Sequence, residues 1–251
     1  MGYSEYDIKV LPAVLAAIIL VSIILAVALR RRSERVRAIP TALIAVALVF
    51  LEIVKQRWNI LGDQDPYILP LHYCSIFLLI IPLAELCGKR LSRIFRPIAA
   101  CMAFSVSAGM YIFPGGILGD ACETFGVSFY RTHSFIFHHL LVLYFVLVLT
   151  MRLFEPRFRS VFIVGGVGLA YGIVVAPIAH AINENYCNLL ESTIPPLEAL
   201  RLNQGQELYT VALVACLITG TMLGSLLYVA ISKFFMRFIF KKGKKQKNKV
   251  N

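Results

Sequence analysis

The chain has 251 residues, 59% of them apolar and only 16% charged, yet its formal net charge is +11 and its mean hydropathy +0.75. Soluble domains run at roughly 45–50% apolar and about 25% charged. This balance excludes a soluble globule, a disordered tail and a nucleic-acid-binding domain with a basic face; six sparse cysteines without a CxxC pair exclude a disulfide scaffold.

The opening residues, MGYSEYDIKV, are acidic and lack the basic stretch of a secretion signal; Tyr6 stands where a myristoylated N-terminus needs Ser or Thr. Seven stretches then approach the ~20 apolar residues that cross about 30 Å of hydrocarbon. They lie at about 10–29, 39–58, 69–87, 96–113, 133–153, 160–182 and 207–236. The fourth is the weakest, being short and interrupted by Ser105, Ser107 and Gly109. Continuous runs, rather than alternation with period two, select helices over a barrel. The expected fold is an all-α polytopic membrane protein: one seven-helix transmembrane domain over 1–240, then a basic tail at 241–251.

Basic residues set the expected orientation. Those after the first, third, fifth and seventh spans put 20 of the 25 Lys and Arg on one side, with three of the 14 acidic residues. That side carries +17 and the other −6, which predicts an outer N-terminus and a cytoplasmic C-terminus in the cell membrane. The tail KKGKKQKNK serves as a topogenic flank and offers contacts to anionic headgroups.

Ionisable groups inside a span are costly and mark function by default. The second span carries Glu52, Lys55 and Gln56 on one helical face near its outer end, and the third opens with His72, Cys74 and Ser75. The fifth holds His133, His138 and His139. The sixth leaves the membrane through His180, Asn183, Glu184, Asn185 and Tyr186. At about 1.5 Å per residue, Glu52, Cys74 and His138 share one depth in the outer leaflet, and the inner half is expected to hold no comparable cluster. His138 and His139 point about 100° apart, so at most one should face a given pocket. Glu52 and Lys55 also suit a structural ion pair holding this helix to a neighbour, and His133 and His180 suit interfacial packing. Cys122 and Cys187 both fall in outer loops, which leaves a disulfide between them open. The glycines at 165, 166, 168, 172, 220 and 224 read as helix-contact positions.

A cysteine or serine nucleophile needs a base and donors for the developing oxyanion. Cys74 or Ser75, a histidine of the fifth span, and Asn183 or Asn185 supply those parts. His72 shares a face with Ser75, so the base for Cys74 is expected from His138 or His139. Membrane lipids are the expected partners, with a phospholipid or lysophospholipid as substrate; Glu52, Lys55, Asn183, Asn185 and Tyr186 would line its site. The same Glu/Lys/His cluster also suits proton or ion passage. Metal binding by His72, His138 or His139 with Glu52 ranks third, since no HExxH or ExxH helix motif is present, and no metal or other cofactor is expected.

LPLHYC at 69–74, FIFHHL at 135–140 and Asn185-Tyr186 resemble the YwaF-type integral membrane family, related to the eukaryotic transmembrane protein 164, an acyltransferase acting on ether phospholipids through a cysteine. The resemblance runs from the second span to the seventh. It implies that His72, Cys74, His139 and Asn185 are motif positions. In the eukaryotic enzyme the reactive cysteine directly precedes the histidine; here that slot is Leu71, so the resemblance carries the fold and the lipid-facing pocket further than it carries the nucleophile.

Overall fold

The computed structural model describes residues 3–61, 69–155 and 157–247, with side chains through Arg237. The described residues are helices and connecting turns, with no strand. The helices are α1 (Glu5–Leu29), α2 (Glu34–Arg37), α3 (Ile39–Leu61), α4 (Phe77–Glu85), α5 (Lys89–Ile112), α6 (Pro114–Ile117), α7 (Phe129–Thr150), α8 (Arg159–Ile182), α9 (Pro195–Gln204) and α10 (Gln206–Lys247). A capping box starts α1: Ser4 Oγ accepts from the Asp7 amide while the Asp7 carboxylate accepts from the Ser4 amide.

Six of these are long and apolar enough to cross a membrane among the described residues. The expected span at 69–87 is different. A 3-10 turn, Tyr73–Ile76, leads into α4, and the joined segment Tyr73–Glu85 is only 13 residues. At about 1.5 Å per residue that reaches ~20 Å, short of the ~30 Å of hydrocarbon. The cause is local. Pro70 favours extended backbone before it, and His72, with ψ 148°, is still extended at the helix start. The motif-bearing residues therefore occupy irregular backbone in which Tyr73 is buried, Leu71, His72 and Cys74 are half-buried, and Leu69 and Pro70 are exposed.

The weakest expected span became the central helix. α5 packs against α4, α7, α8 and α10, and Ala99, Ala100, Cys101, Met102 and Ala103 are fully buried. Its small residues lower hydropathy because it faces protein rather than lipid. By contrast Ile23, Ile24 and Val27 on α1, and Leu43, Phe50 and Ile53 on α3, are exposed as lipid-facing side chains would be. Three of the glycine positions close a helix contact: a Cβ on Gly165 would meet Met222, one on Gly172 would meet Val214, and one on Gly224 would meet Ser105; Gly166 and Gly220 meet nothing within 4 Å and are not contact positions. Past the apolar run, α10 continues helical through Lys247, so much of the expected tail extends this helix.

Candidate functional site

On α3, Glu52 Oε1 accepts from Gln56 Nε2 at 2.6 Å and lies 3.2 Å from Lys55 Nζ, with both side chains of the ion pair largely buried. Glu52 and Lys55 do pair, but as i, i+3 neighbours on α3, so the pair does not tie this helix to another. It is also surrounded by the expected chemistry. Cys74 and His133 each lie within electrostatic reach of both Lys55 and Glu52. His138 is within reach of His133 and of His72. Three elements separated in sequence therefore meet: one face of α3, the irregular start of α4, and one face of α7.

The two adjacent histidines part company, as a 100° step requires. His138 Nδ1 bonds the Ser134 carbonyl at 2.8 Å, and the ring lies within electrostatic reach of His139, His133 and His72. His139 Nδ1 bonds the Phe135 carbonyl at 2.7 Å, and its ring stacks near Phe135 and edges onto Tyr111 of α5. His133, which suited mere interfacial packing, belongs to the cluster. Its ring reaches the Leu51 backbone, while Nε2 is buried without a hydrogen-bond partner among the described residues. The available signal for it was the i, i+5 spacing to His138, too loose on a helix to be read without its neighbours.

The loop after α8 shapes the site. Asn183 caps α8 in a left-handed conformation (φ 54°), which asparagine tolerates. Asn185 Oδ1 accepts from the Leu190 and Glu191 amides, at 2.9 and 3.2 Å, and Nδ2 donates to the Glu191 carbonyl. Its amide is spent on the loop. Tyr186 is fully buried; its hydroxyl accepts from the Leu69 amide at 3.2 Å and its ring meets the His72 ring edge-on at 5.2 Å. His180 pairs instead with Thr210 of α10. Ser75 closes the 3-10 turn through its amide to the His72 carbonyl.

Cys187 is the residue that sequence reasoning placed in the wrong company. Cys122 and Cys187 are both free thiols, in separate apolar clusters. Cys122 lies beside Asp7, and burial with that carboxylate pushes its thiol up to about 12. Cys187 folds back under the motif: its Sγ accepts from the Tyr73 amide at 3.1 Å, interacts with the Tyr171 hydroxyl, and lies within electrostatic reach of Cys74. Burial pushes the Cys187 thiol up to about 11. Tyr171 also donates to the Leu71 carbonyl. The LPLHYC segment is thus held from below by α8 and from above by Tyr186.

A groove of about 430 Å³ opens on the outer wall of α3 and α4, lined by Val49, Ile53, Ile60 and Leu78 and by the polar Glu52, Gln56 and Arg57. Glu52 belongs to both groove and cluster, and Leu78 follows Cys74 by four residues. Among the described residues no group of three His, Cys, Asp or Glu side chains has metal-binding geometry.

The expectation that the opposite, basic end holds no comparable cluster is wrong. Glu85, with a fully buried side chain, takes two bonds from Arg96, Nε–Oε1 and Nη2–Oε2, each 2.8 Å. Thr41 donates to it at 2.7 Å and Tyr144 at 2.9 Å. Arg96 also donates to the Leu153 carbonyl at 3.2 Å. Both residues fall at span ends in the sequence, where they pass for ordinary flanking charges; only the turn from α4 into α5 faces them inward. Each side-chain nitrogen of Arg96 and each carboxylate oxygen of Glu85 has a partner, which marks a structural centre rather than a reactive one.

With this geometry in place, comparison with known proteins decides the family. The TMEM164 family model matches residues 3–246. The chain belongs to the TMEM164 family. No curated protein and no solved structure matches it. With six helices able to span among the described residues, this TMEM164 family member is an integral, multi-pass membrane protein. The motif residues that suggested the relationship occupy the irregular start of α4, the middle of α7 and the loop after α8.

Proposed function

We propose that this chain transfers acyl groups between phospholipids, or cleaves their esters, from the leaflet at its less basic end. One observation carries the reading: Cys74, the Glu52–Lys55 pair and His133 share one neighbourhood, and Glu52 opens from it onto a lipid-facing groove. An acyl chain lies along Ile53, Ile60 and Leu78, which brings its ester carbonyl to the polar level. Cys74 Sγ attacks that carbon, its proton passing to His133 Nε2. The C–O bond breaks, and the leaving alkoxide takes the proton back, giving a thioester and a lysophospholipid. An acceptor hydroxyl, or water, then attacks the thioester and restores the thiol. Lys55 offers the positive charge near the developing oxyanion, worth most in a site poor in water. His138 and His72 follow behind His133, and Ser75 is the alternative nucleophile. Asn185 acts by holding the loop that carries Tyr186 over His72.

The test uses purified full-length protein in micelles of diacylphospholipid with labelled lysophospholipid. The expected result is labelled diacyl product, lost in Cys74→Ala, reduced about 10²–10⁴-fold in His133→Ala as for a positioned general base, and retained in Ser75→Ala and His180→Ala. Product formation unchanged in Cys74→Ala refutes the thioester route. Absence of turnover, together with pH-dependent flux in proteoliposomes that Glu52→Gln abolishes, replaces it with a proton- or ion-coupled transporter. For that alternative the buried, unpartnered His133 Nε2 beside the ion pair is the supporting observation.

A further inference from the structure

At the basic end, away from this site, a second groove of about 500 Å³ lies where the end of α1, the α1–α2 turn, α2 and the α7–α8 turn meet α10. Four arginines line it: Arg30, Arg31, Arg37 and Arg152. Its remaining wall is largely apolar, with Val27 of α1 and Phe235 of α10 extending from the charged end along the lipid-facing surface. Among the described residues no acidic side chain lines it. The geometry points to a binding site for the phosphate headgroup of an anionic phospholipid, whose acyl chains run between α1 and α10.

A flank that merely orients a membrane protein needs positive charge but no concavity. Here three separate segments converge on one hollow. The acidic residues able to neutralise it are engaged elsewhere: Glu34 lies 3.7 Å from Arg96, and Glu155 pairs with Arg157 at 3.0 Å. Arg30 and Arg31 make no hydrogen bond or ion pair among the described residues. Arg37 is anchored through Nη1 to the Met151 carbonyl at 2.5 Å, which leaves its buried Nε without a partner. Arg152 reaches the groove from a left-handed backbone, φ 55°, a conformation uncommon for a non-glycine residue. All four cations are arginine, whose planar fork matches phosphate oxygens bidentately where a lysine acts as a point charge. The apolar wall decides between sources of phosphate: a soluble anion has no use for Val27 and Phe235, whereas a phospholipid covers them.

The experiment measures phospholipid binding to purified full-length protein by native mass spectrometry, titrating phosphatidylglycerol, phosphatidylcholine and inorganic phosphate at matched ionic strength. The double variant Arg30→Gln/Arg152→Gln, whose residues are exposed, is compared with Arg90→Gln/Arg93→Gln, equally basic and exposed but outside the groove. At about fivefold per basic residue lost, phosphatidylglycerol affinity is expected to fall roughly thirtyfold in the first variant and to hold within about twofold in the second. Equal losses in both variants overturn the site, reducing it to general surface charge. Phosphatidylcholine bound as tightly as phosphatidylglycerol, or inorganic phosphate displacing the lipid at equal concentration, overturns it as well.

Discussion

Replacing Arg96 by methionine tests what ties α3, α4, α5 and α7 together at the basic end. Methionine matches much of the arginine stem, so the change isolates the guanidinium. Its loss removes two charge-assisted bonds to Glu85 and one bond to the Leu153 carbonyl. Thr41 and Tyr144 remain as donors to Glu85, one on each oxygen, but the carboxylate is left buried without its counter-charge. Breaking a buried pair from one side costs about 3–5 kcal/mol, whereas an exposed pair is worth about 0–1 kcal/mol. The expected loss is therefore about 3–4 kcal/mol for Arg96→Met. The double variant Glu85→Gln/Arg96→Met should lose less than Arg96→Met alone, because no charge is then stranded. Unfolding in mixed micelles with increasing denaturing detergent, followed by circular dichroism, gives both values. A loss below about 1 kcal/mol for Arg96→Met, or additive single and double losses, refutes the account of a coupled buried centre.

Two further predictions concern helix contact and thiol access. Gly224→Ala places a Cβ 2.6 Å from Ser105 Oγ and 3.0 Å from its Cα, a backbone atom that cannot swing aside; overpacking of this kind costs about 1–3 kcal/mol. Gly220→Ala meets nothing within 4 Å and should be neutral or mildly stabilising; equal thermal midpoints for the two variants refute the α5–α10 contact. Alkylation by iodoacetamide, which needs thiolate, should label the exposed Cys87 readily near pH 8. Cys187, pushed up to about 11 by burial, should gain label only as the pH climbs toward that value. Labelling of Cys187 at the rate of Cys87 at pH 8, measured by peptide mass spectrometry, contradicts its placement under the motif.

Much of the architecture was legible because lipid imposes simple demands. Long apolar runs flanked by Arg and Lys mark helices, and α1, α3, α7, α8 and α10 follow them closely. The segment at 69–87 was over-read because hydropathy counts apolar residues without regard to backbone: Pro70 and the extended His72 shorten the helix, and no composition scale registers that. The gathering of Glu52, Cys74 and His138 toward one region was also legible, since position along a helix follows from counting residues. Periodicity separated His138 from His139 but could not say which faces Cys74's neighbourhood, because that depends on the rotation of α7 against α3 and α4.

What the sequence determined by itself is the sorting of charge: the bulk +11 resolves into a strongly basic end and a less basic one, a pattern set by the cost of moving Lys and Arg through hydrocarbon. What the tertiary structure decided is which charges are not flanks at all. Glu85 and Arg96, read in sequence as span-end residues, close on each other inside the bundle because α4 turns directly into α5. Cys187, a loop residue in sequence, returns beneath Tyr73 through a left-handed turn. Linear spacing reports depth and face along one helix, whereas pairing across helices depends on rotation and crossing, which only packed side chains fix.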